Sequence, residues 1–120
     1  MNVEALHAYL ADRSVVTVVT TRQNGDDVST PIWSVVVDDV PYIRSEYGSD
    51  GRWYRRATAR GRVGFEVGDD LERVVVERVT DDAELSRVDD AYRVKYRTSS
   101  SSLEMMLRPL ARACTLRITP

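Results

Sequence analysis

Lysine, histidine and cysteine each occur once in these 120 residues, as Lys95, His7 and Cys114. A single cysteine excludes a disulfide within the chain and suits a reducing compartment. One Cys and one His cannot form the clustered ligand sets of zinc-type sites, so no metal is expected. Nucleophilic catalysis of the Ser-His-Asp or Cys-His kind needs a histidine beside a nucleophile, and the segment around His7 offers none. No apolar run approaches membrane-spanning length, and "MNVEALHAYLADR" lacks the basic-then-apolar order of a signal peptide. A cytoplasmic protein with no membrane contact is expected. Net charge is −2, from 17 basic and 19 acidic residues, which argues against nucleic acid while leaving room for a local anion site. With so little catalytic equipment of its own, an enzyme built on this chain would depend on a bound cofactor.

What is present is a run of short patterned segments of the size of one domain, 1–120. "NVEALHAYLADR" carries Val3, Leu6 and Leu10 at helical spacing, with Asn2 as N-cap. "SVVTVVTT" (14–21) is β-branched almost throughout, Asn24-Gly25 marks a hairpin, and "VSTPIWSVVV" (28–37) is the return strand. Pro31 has no N–H for a ladder, so it belongs at an edge or a bulge. "VPYIRS" (40–45) makes a third strand, "RWYRRATAR" a helix ended by Gly61, and "RVGFEV" and "LERVVVERVT" two more strands. From Asp81 the period becomes helical, with Leu85, Val88, Tyr92 and Tyr96 on one stripe. Ser99–Ser102 is a polar break, "LEMMLRPLAR" a helical piece interrupted by Pro109, and "ACTLRIT" a closing strand. The expected fold is mainly β: a small antiparallel barrel or half-barrel of about six strands, with helices outside. The acidic pairs Asp26-Asp27, Asp38-Asp39 and Asp69-Asp70 all fall at predicted turns and read as turn chemistry.

Two constellations could carry function. In the first hairpin, Arg22, Ser29 and Thr30 put a cation, hydroxyls and backbone amides in one place, which suits a phosphate; equally, the hydroxyls could serve only nearby backbone. The second is "YIRSEYGSDGRWYRRATARGR" (42–62), with six arginines, four Tyr or Trp and three glycines. A flat ligand could stack on Trp53 or Tyr54 while Arg52, Arg55 and Arg56 hold an anionic tail, with Arg44 and Ser45 facing the same cleft. The other use open to these residues is a capped core beneath a solvated arginine face. Sixteen of the 17 basic residues are arginine, a bias that the base composition of coding DNA can produce by itself, so arginine alone marks no site. His7, Cys114, Tyr92 and Tyr96 read as core residues, although Lys95 or Tyr96 could reach a ligand.

"VTTRQNGDDVSTPIWSVVVDDVPYIRSEYGSDGRWYRRA" resembles the split β-barrel flavin-binding superfamily of pyridoxamine-phosphate-oxidase type. It is most similar to the deazaflavin-dependent nitroreductases and to a small bacterial family of unknown function related to them. Thr20-Thr21, Gly25, Thr30-Pro31-Ile32-Trp33, Ser45 and Trp53-Tyr54 follow the order of the nitroreductase motifs. The tail from Asp89 onward also looks like the bacterial family. The resemblance implies a barrel, commonly a homodimer, with FMN or a deazaflavin coenzyme in a cleft. On it, Arg22, Ser29 and Thr30 would hold the phosphate; Pro31, Ile32 and Trp33 would line the ring. Arg44, Ser45 and Gly48 would form the opposite wall, and Trp53 and Tyr54 would close it. The chain departs from the "G-R-K-S-G" hairpin of the nitroreductases: its lysine and serine are missing, and Asp26 and Asp27 would oppose an anionic tail. Where the "W-Y-x-N-L" motif has asparagine, this chain has Arg56. The implied function is hydride transfer to a small conjugated or nitro-type substrate, with Tyr54 as proton donor. The alternatives are a cofactor-free isomerase or cyclase using Arg44 as electrophilic stabiliser, or a small-molecule binding protein.

Overall fold

The computed structural model describes residues 3–119, so Asn2 and its capping role lie outside the described residues. Helix α1 (Val3–Asp12) leads into seven strands: β1 (Val16–Thr21), β2 (Asp27–Ile32), β3 (Ser34–Val37), β4 (Val40–Arg44), β5 (Arg62–Val67), β6 (Asp70–Arg78) and β7 (Thr115–Thr119). A 3₁₀ turn (Gly48–Asp50) and α2 (Arg52–Arg60) stand between β4 and β5; α3 (Asp82–Lys95), α4 (Ser100–Leu107) and α5 (Pro109–Arg112) stand between β6 and β7. All pairings are antiparallel, in the order β2-β1-β5-β6-β7-β4-β3.

That order contains the main correction to the sequence reading. The segment 28–37 is two strands, not one, so the sheet has seven strands rather than about six. Up to Ile32 the chain pairs with β1, through Ile32↔Val16; from Ser34 it pairs with β4, through Ser34↔Ile43. The two outermost strands are therefore neighbours in the chain, with Trp33 alone between them. A sheet whose edges are joined this way must curl until they meet, leaving a seam where one ladder is exchanged for the other. Pro31, opposite Thr17 on edge strand β2, costs the ladder nothing.

Local chemistry sets the tight turns. Gly25 takes φ +96 at the tip of the first hairpin. Asp38 and Asp39 both have positive φ (50 and 66) between paired Val37 and Val40, as a two-residue type I′ turn demands. Inside the curl, Leu6 and Leu10 of α1 join Val16, Val18, Ile43, Phe65 and Leu116 in one core. A second core fixes α3 to the sheet through Leu85, Val88, Tyr92 and Tyr96, the stripe expected from the sequence, packed on Val35 and Tyr42. Asp81 caps α3 by accepting the Glu84 N–H at 2.9 Å. The serine run is not a break: Ser99 takes the N-cap position and Ser100–Ser102 form the first turn of α4.

The end of α3 also fastens the seam. Ser34 donates its N–H to Tyr96 Oη (3.1 Å), and Tyr96 Oη donates to Ser14 O (2.8 Å). Lys95 Nζ donates to Ser34 O (2.6 Å) and Leu10 O (2.9 Å). Trp33 lies flat on Tyr96, with ring centroids 3.8 Å apart and planes within 2°. Lys95 and Tyr96 are thus committed to backbone groups where the two edges part.

Candidate functional site

Beside the seam opens a cleft of about 770 Å³, within the usual range for small-molecule sites. One wall is edge strand β2 and its continuation: Val28, Thr30, Pro31, Ile32 and Trp33. Thr30 lines the cleft and Ser29 does not; Ser29 Oγ donates to Glu66 Oε1 (2.9 Å). Across from this wall stand Arg52, Trp53 and Arg56 of α2, preceded by Glu46, Tyr47, Asp50 and Gly51. Arg22 enters from the first hairpin, Val15 from the start of β1, Arg44 from the end of β4, and Ser102 and Met106 from α4.

Of the residues singled out in the sequence, Arg22, Thr30, Pro31, Ile32, Trp33, Arg44, Arg52 and Trp53 come together on this cleft. Ser29, Ser45, Gly48, Tyr54 and Arg55 do not line it. Ser45 Oγ donates to Gly48 O (2.8 Å), and a Cβ on Gly51 would run into that hydroxyl. Gly48 has φ +62 and lies against Leu110, so it shapes the turn before α2. Arg55 reaches back to Ser49 O (2.8 Å) and, more distantly, to Asp50 (3.4 Å). Tyr54 is buried behind Trp53, edge-on to it, with its hydroxyl against Cys114 and Arg78; burial raises its pKa, and the Cys114 contact adds to this.

The cleft has two kinds of cation. Arg22, Arg52 and Arg56 form no salt bridge with any of the described residues. Arg56, whose Nε donates to Thr20 Oγ1 (2.8 Å), has its pKa lowered by burial first and then by the charges of Arg22 and Arg52. Three like charges are therefore gathered with no carboxylate of the described residues in salt-bridge contact, Glu46 and Asp50 being the acidic residues that line the same cleft. Arg44 is the opposite case. It is 1% exposed, and its Nη1 holds Asp89 Oδ1 at 2.6 Å. Asp26 and Asp27, expected to oppose an anion, are exposed and bonded to Asn24 and Thr21, and neither lines the cleft.

Of the three arginines that the sequence offered for an anionic tail, Arg52 and Arg56 line the cleft, one helical turn apart on the same face, and Arg55 does not. Ser102 and Met106 gave no signal, since α4 reaches the cleft only through the tertiary fold. Among the described residues no three potential metal-ligating side chains converge, and no helix is long and apolar enough to cross a membrane.

A curled antiparallel sheet split at a seam, with a ligand-sized cleft on its edge, is the split-barrel fold of pyridoxamine-phosphate-oxidase-like proteins. Within that fold class the chain belongs to the family described as "uncharacterized protein conserved in bacteria" (DUF2255), whose pattern matches residues 8–118. Solved structures share the fold at low identity. An F420-H2 dependent reductase is 16% identical (TM-score 0.64; 91% of this chain, 96% of that one). A FAD-binding protein from Mesorhizobium loti is 18% identical (TM-score 0.60; 98% and 88%). A putative pyridoxamine 5′-phosphate oxidase from Listeria innocua is 11% identical (TM-score 0.63; 100% and 94%). A further chain of this fold, 15% identical (TM-score 0.62; 91% and 82%), is described as a domain-swapped dimer. No curated protein matches the sequence.

Proposed function

We propose that the cleft binds a flat, phosphate-bearing cofactor, FMN or a deazaflavin coenzyme, and that the protein is an oxidoreductase acting on a small organic substrate. The observation that carries this is the unpaired group Arg22, Arg52 and Arg56 at the edge of an apolar and aromatic wall. Gathering three cations raises the energy of the empty site, and an anion lowers it again. Pro31, Ile32, Trp33 and Trp53 offer the flat, water-excluding surface that a ring system needs. The donor set therefore fits such a cofactor.

When bound, the cofactor would supply hydride transfer to a conjugated or nitro-type acceptor. The chain's own residues do the rest: the three arginines hold the anionic end, Thr30 offers a hydroxyl, and the apolar wall keeps water from the ring face. Tyr54 supports Trp53 from behind in this reading and hands over no proton. Arg44 is a poor cationic stabiliser for a cofactor-free isomerase or cyclase, because Asp89 already balances its charge. We further propose a cytoplasmic homodimer, since edge strand β2 presents an unpaired ladder that a second copy would cover.

The test is titration with FMN and, separately, with the deazaflavin coenzyme, following visible absorbance and tryptophan fluorescence. Both tryptophans, Trp33 and Trp53, line the cleft and report on it directly. Saturable binding at micromolar concentration, followed by substrate-dependent reoxidation of the reduced cofactor, supports the reading. Binding without turnover by any hydride acceptor favours the binding-protein alternative. Absence of binding by both cofactors overturns the proposal.

A further inference from the structure

Arg44 is the only buried arginine among the described residues, and Asp89 the only buried carboxylate. A guanidinium carries five N–H bonds in a rigid fork, and three of Arg44's are used by the protein. Nε donates to Thr115 Oγ1 (2.8 Å), and Nη1 donates to Asp89 Oδ1 (2.6 Å) and Met106 O (3.0 Å). The Tyr92 ring covers one face, 5.1 Å from Cζ. Nη2 is buried with no partner among the described residues, and Arg44 lines the cleft next to Met106. Leaving a charged group's donors unmade in the interior is expensive, so a group placed there has a use for them.

The local charge says what that use is. Asp89 sits between two arginines, giving its other oxygen to Arg112 Nε (3.0 Å). Arg112 is partly exposed and also holds Asp82 (2.9 Å), so water and a second carboxylate offset its charge. Around Arg44 the charges cancel in direct contact, whereas Arg22, Arg52 and Arg56 hold no carboxylate of the described residues in a salt bridge. A donor in a balanced field favours a neutral acceptor. A carboxylate there would meet Asp89 across the same guanidinium with no net positive charge to compensate.

We propose that Arg44 is a ligand-recognition residue. Its Nη2 edge takes a neutral carbonyl-type oxygen, on the α4 side of the cleft, while the unpaired arginines take the anionic end of the ligand. This rests on the reading of the cleft as a ligand site and adds a specificity rule to it. The carbonyl could belong to the cofactor ring or to the substrate; the chemistry at Arg44 is the same. Asp89 and Thr115 act as positioning residues, fixing the fork so that one edge remains.

The test uses benzamide and benzoate, equal in shape but different in charge. They are titrated into the wild-type protein while the arginine side-chain nitrogen–proton NMR signals and tryptophan fluorescence are followed. The Arg44 signals are expected to shift with benzamide and to stay in place with benzoate, which moves the signals of Arg22, Arg52 or Arg56 instead. Asp89→Asn should change the benzamide-to-benzoate affinity ratio by about tenfold in favour of benzoate. Arg44→Lys, which keeps a cation and loses the fork, should weaken benzamide about tenfold and leave benzoate unaffected. Thermal unfolding of both variants checks that they fold; if neither does, the wild-type spectra decide. Benzamide that quenches the tryptophans without moving the Arg44 signals overturns the proposal, as does a probe pair that moves neither. Repeating the spectra with FMN separates the two sources: a shift with FMN assigns the carbonyl to the cofactor, and a shift with benzamide alone assigns it to the substrate. Benzamide needs no cofactor, so a failed cofactor titration and a failed Arg44 assignment remain separate results.

Discussion

In the proposed function, Arg52 shows most simply how the cleft would trade stability for affinity. It is exposed, makes no salt bridge among the described residues, and helps to depress the pKa of Arg56. Arg52→Gln should raise the melting temperature of the ligand-free protein slightly while weakening a phosphate-bearing ligand about tenfold. Calorimetry with and without inorganic phosphate checks both halves, since phosphate should protect the wild type more than the variant. Gly51 makes a different kind of prediction. A methyl group there meets Ser45 Oγ, which already holds Gly48 O, and the turn that carries Arg52 and Trp53 into place has little room to give. Gly51→Ala should cost about 1–3 kcal/mol in denaturant unfolding. An unchanged midpoint would mean that the turn adapts.

At the scale of elements, Glu84 on α3 ties the helix to the sheet. Its carboxylate accepts from Arg117 Nη2 (2.7 Å) and Tyr42 Oη (2.7 Å), and these bonds, Arg117's foremost, lower its pKa below the ordinary 4.5. A carboxyl with a depressed folded-state pKa contributes stability that is present above the unfolded value and is lost as pH falls through the folded one. Melting temperature should therefore drop below about pH 4.5 in the wild type, and Glu84→Gln should flatten that part of the profile. The helix itself was legible in the sequence, because Leu85, Val88, Tyr92 and Tyr96 repeat at its period and Asp81 supplies a cap. The two tight hairpins were legible for the same local reason, since Asn24-Gly25 and Asp38-Asp39 suit the backbone that their turns require. The break at Trp33 was not. Val28 to Val37 has strand chemistry throughout, and the exchange of partner from β1 to β4 is decided by residues far along the chain; Pro31 was its only local trace. The cleft divides in the same way. Its β2 and α2 walls could be read from clustered aromatics and arginines, whereas Ser102 and Met106 arrive on a helix about fifty residues further on.

The whole molecule depends on its seam. Tyr96 Oη serves both Ser34 and Ser14, and Tyr96→Phe would leave the buried Ser34 N–H without its partner while keeping the Trp33 stack. A loss of about 1–3 kcal/mol is expected, together with faster hydrogen exchange at Ser34. Lys95 adds a pH dependence of the same sign as that of Glu84, a stability that rises with pH, in a window several units higher. Burial lowers its pKa from 10.5 to about 8, partly offset by Asp12, so the unfolded chain holds the proton more firmly. The resulting penalty on folding is full below about pH 8 and fades between about 8 and 10.5, so Lys95→Met should remove a rise in melting temperature across that window. In assembly, sedimentation should give twice the 13.6 kDa chain mass if a second copy covers edge strand β2; a monomer at micromolar concentration would refute the dimer.

In the proposed function, an arginine cluster without salt bridges selects the anionic end of a flat ligand. The most direct measurement compares FMN with riboflavin, which has the same ring and no phosphate, in wild type and Arg52→Gln. If the earlier titration selects the deazaflavin coenzyme, the comparison uses that coenzyme and its phosphate-free ring alcohol. The phosphate is expected to improve wild-type affinity by about a hundredfold, and the variant to lose about tenfold of that gain. Equal affinity for the two ligands, or a phosphate gain untouched by Arg52→Gln, would contradict it.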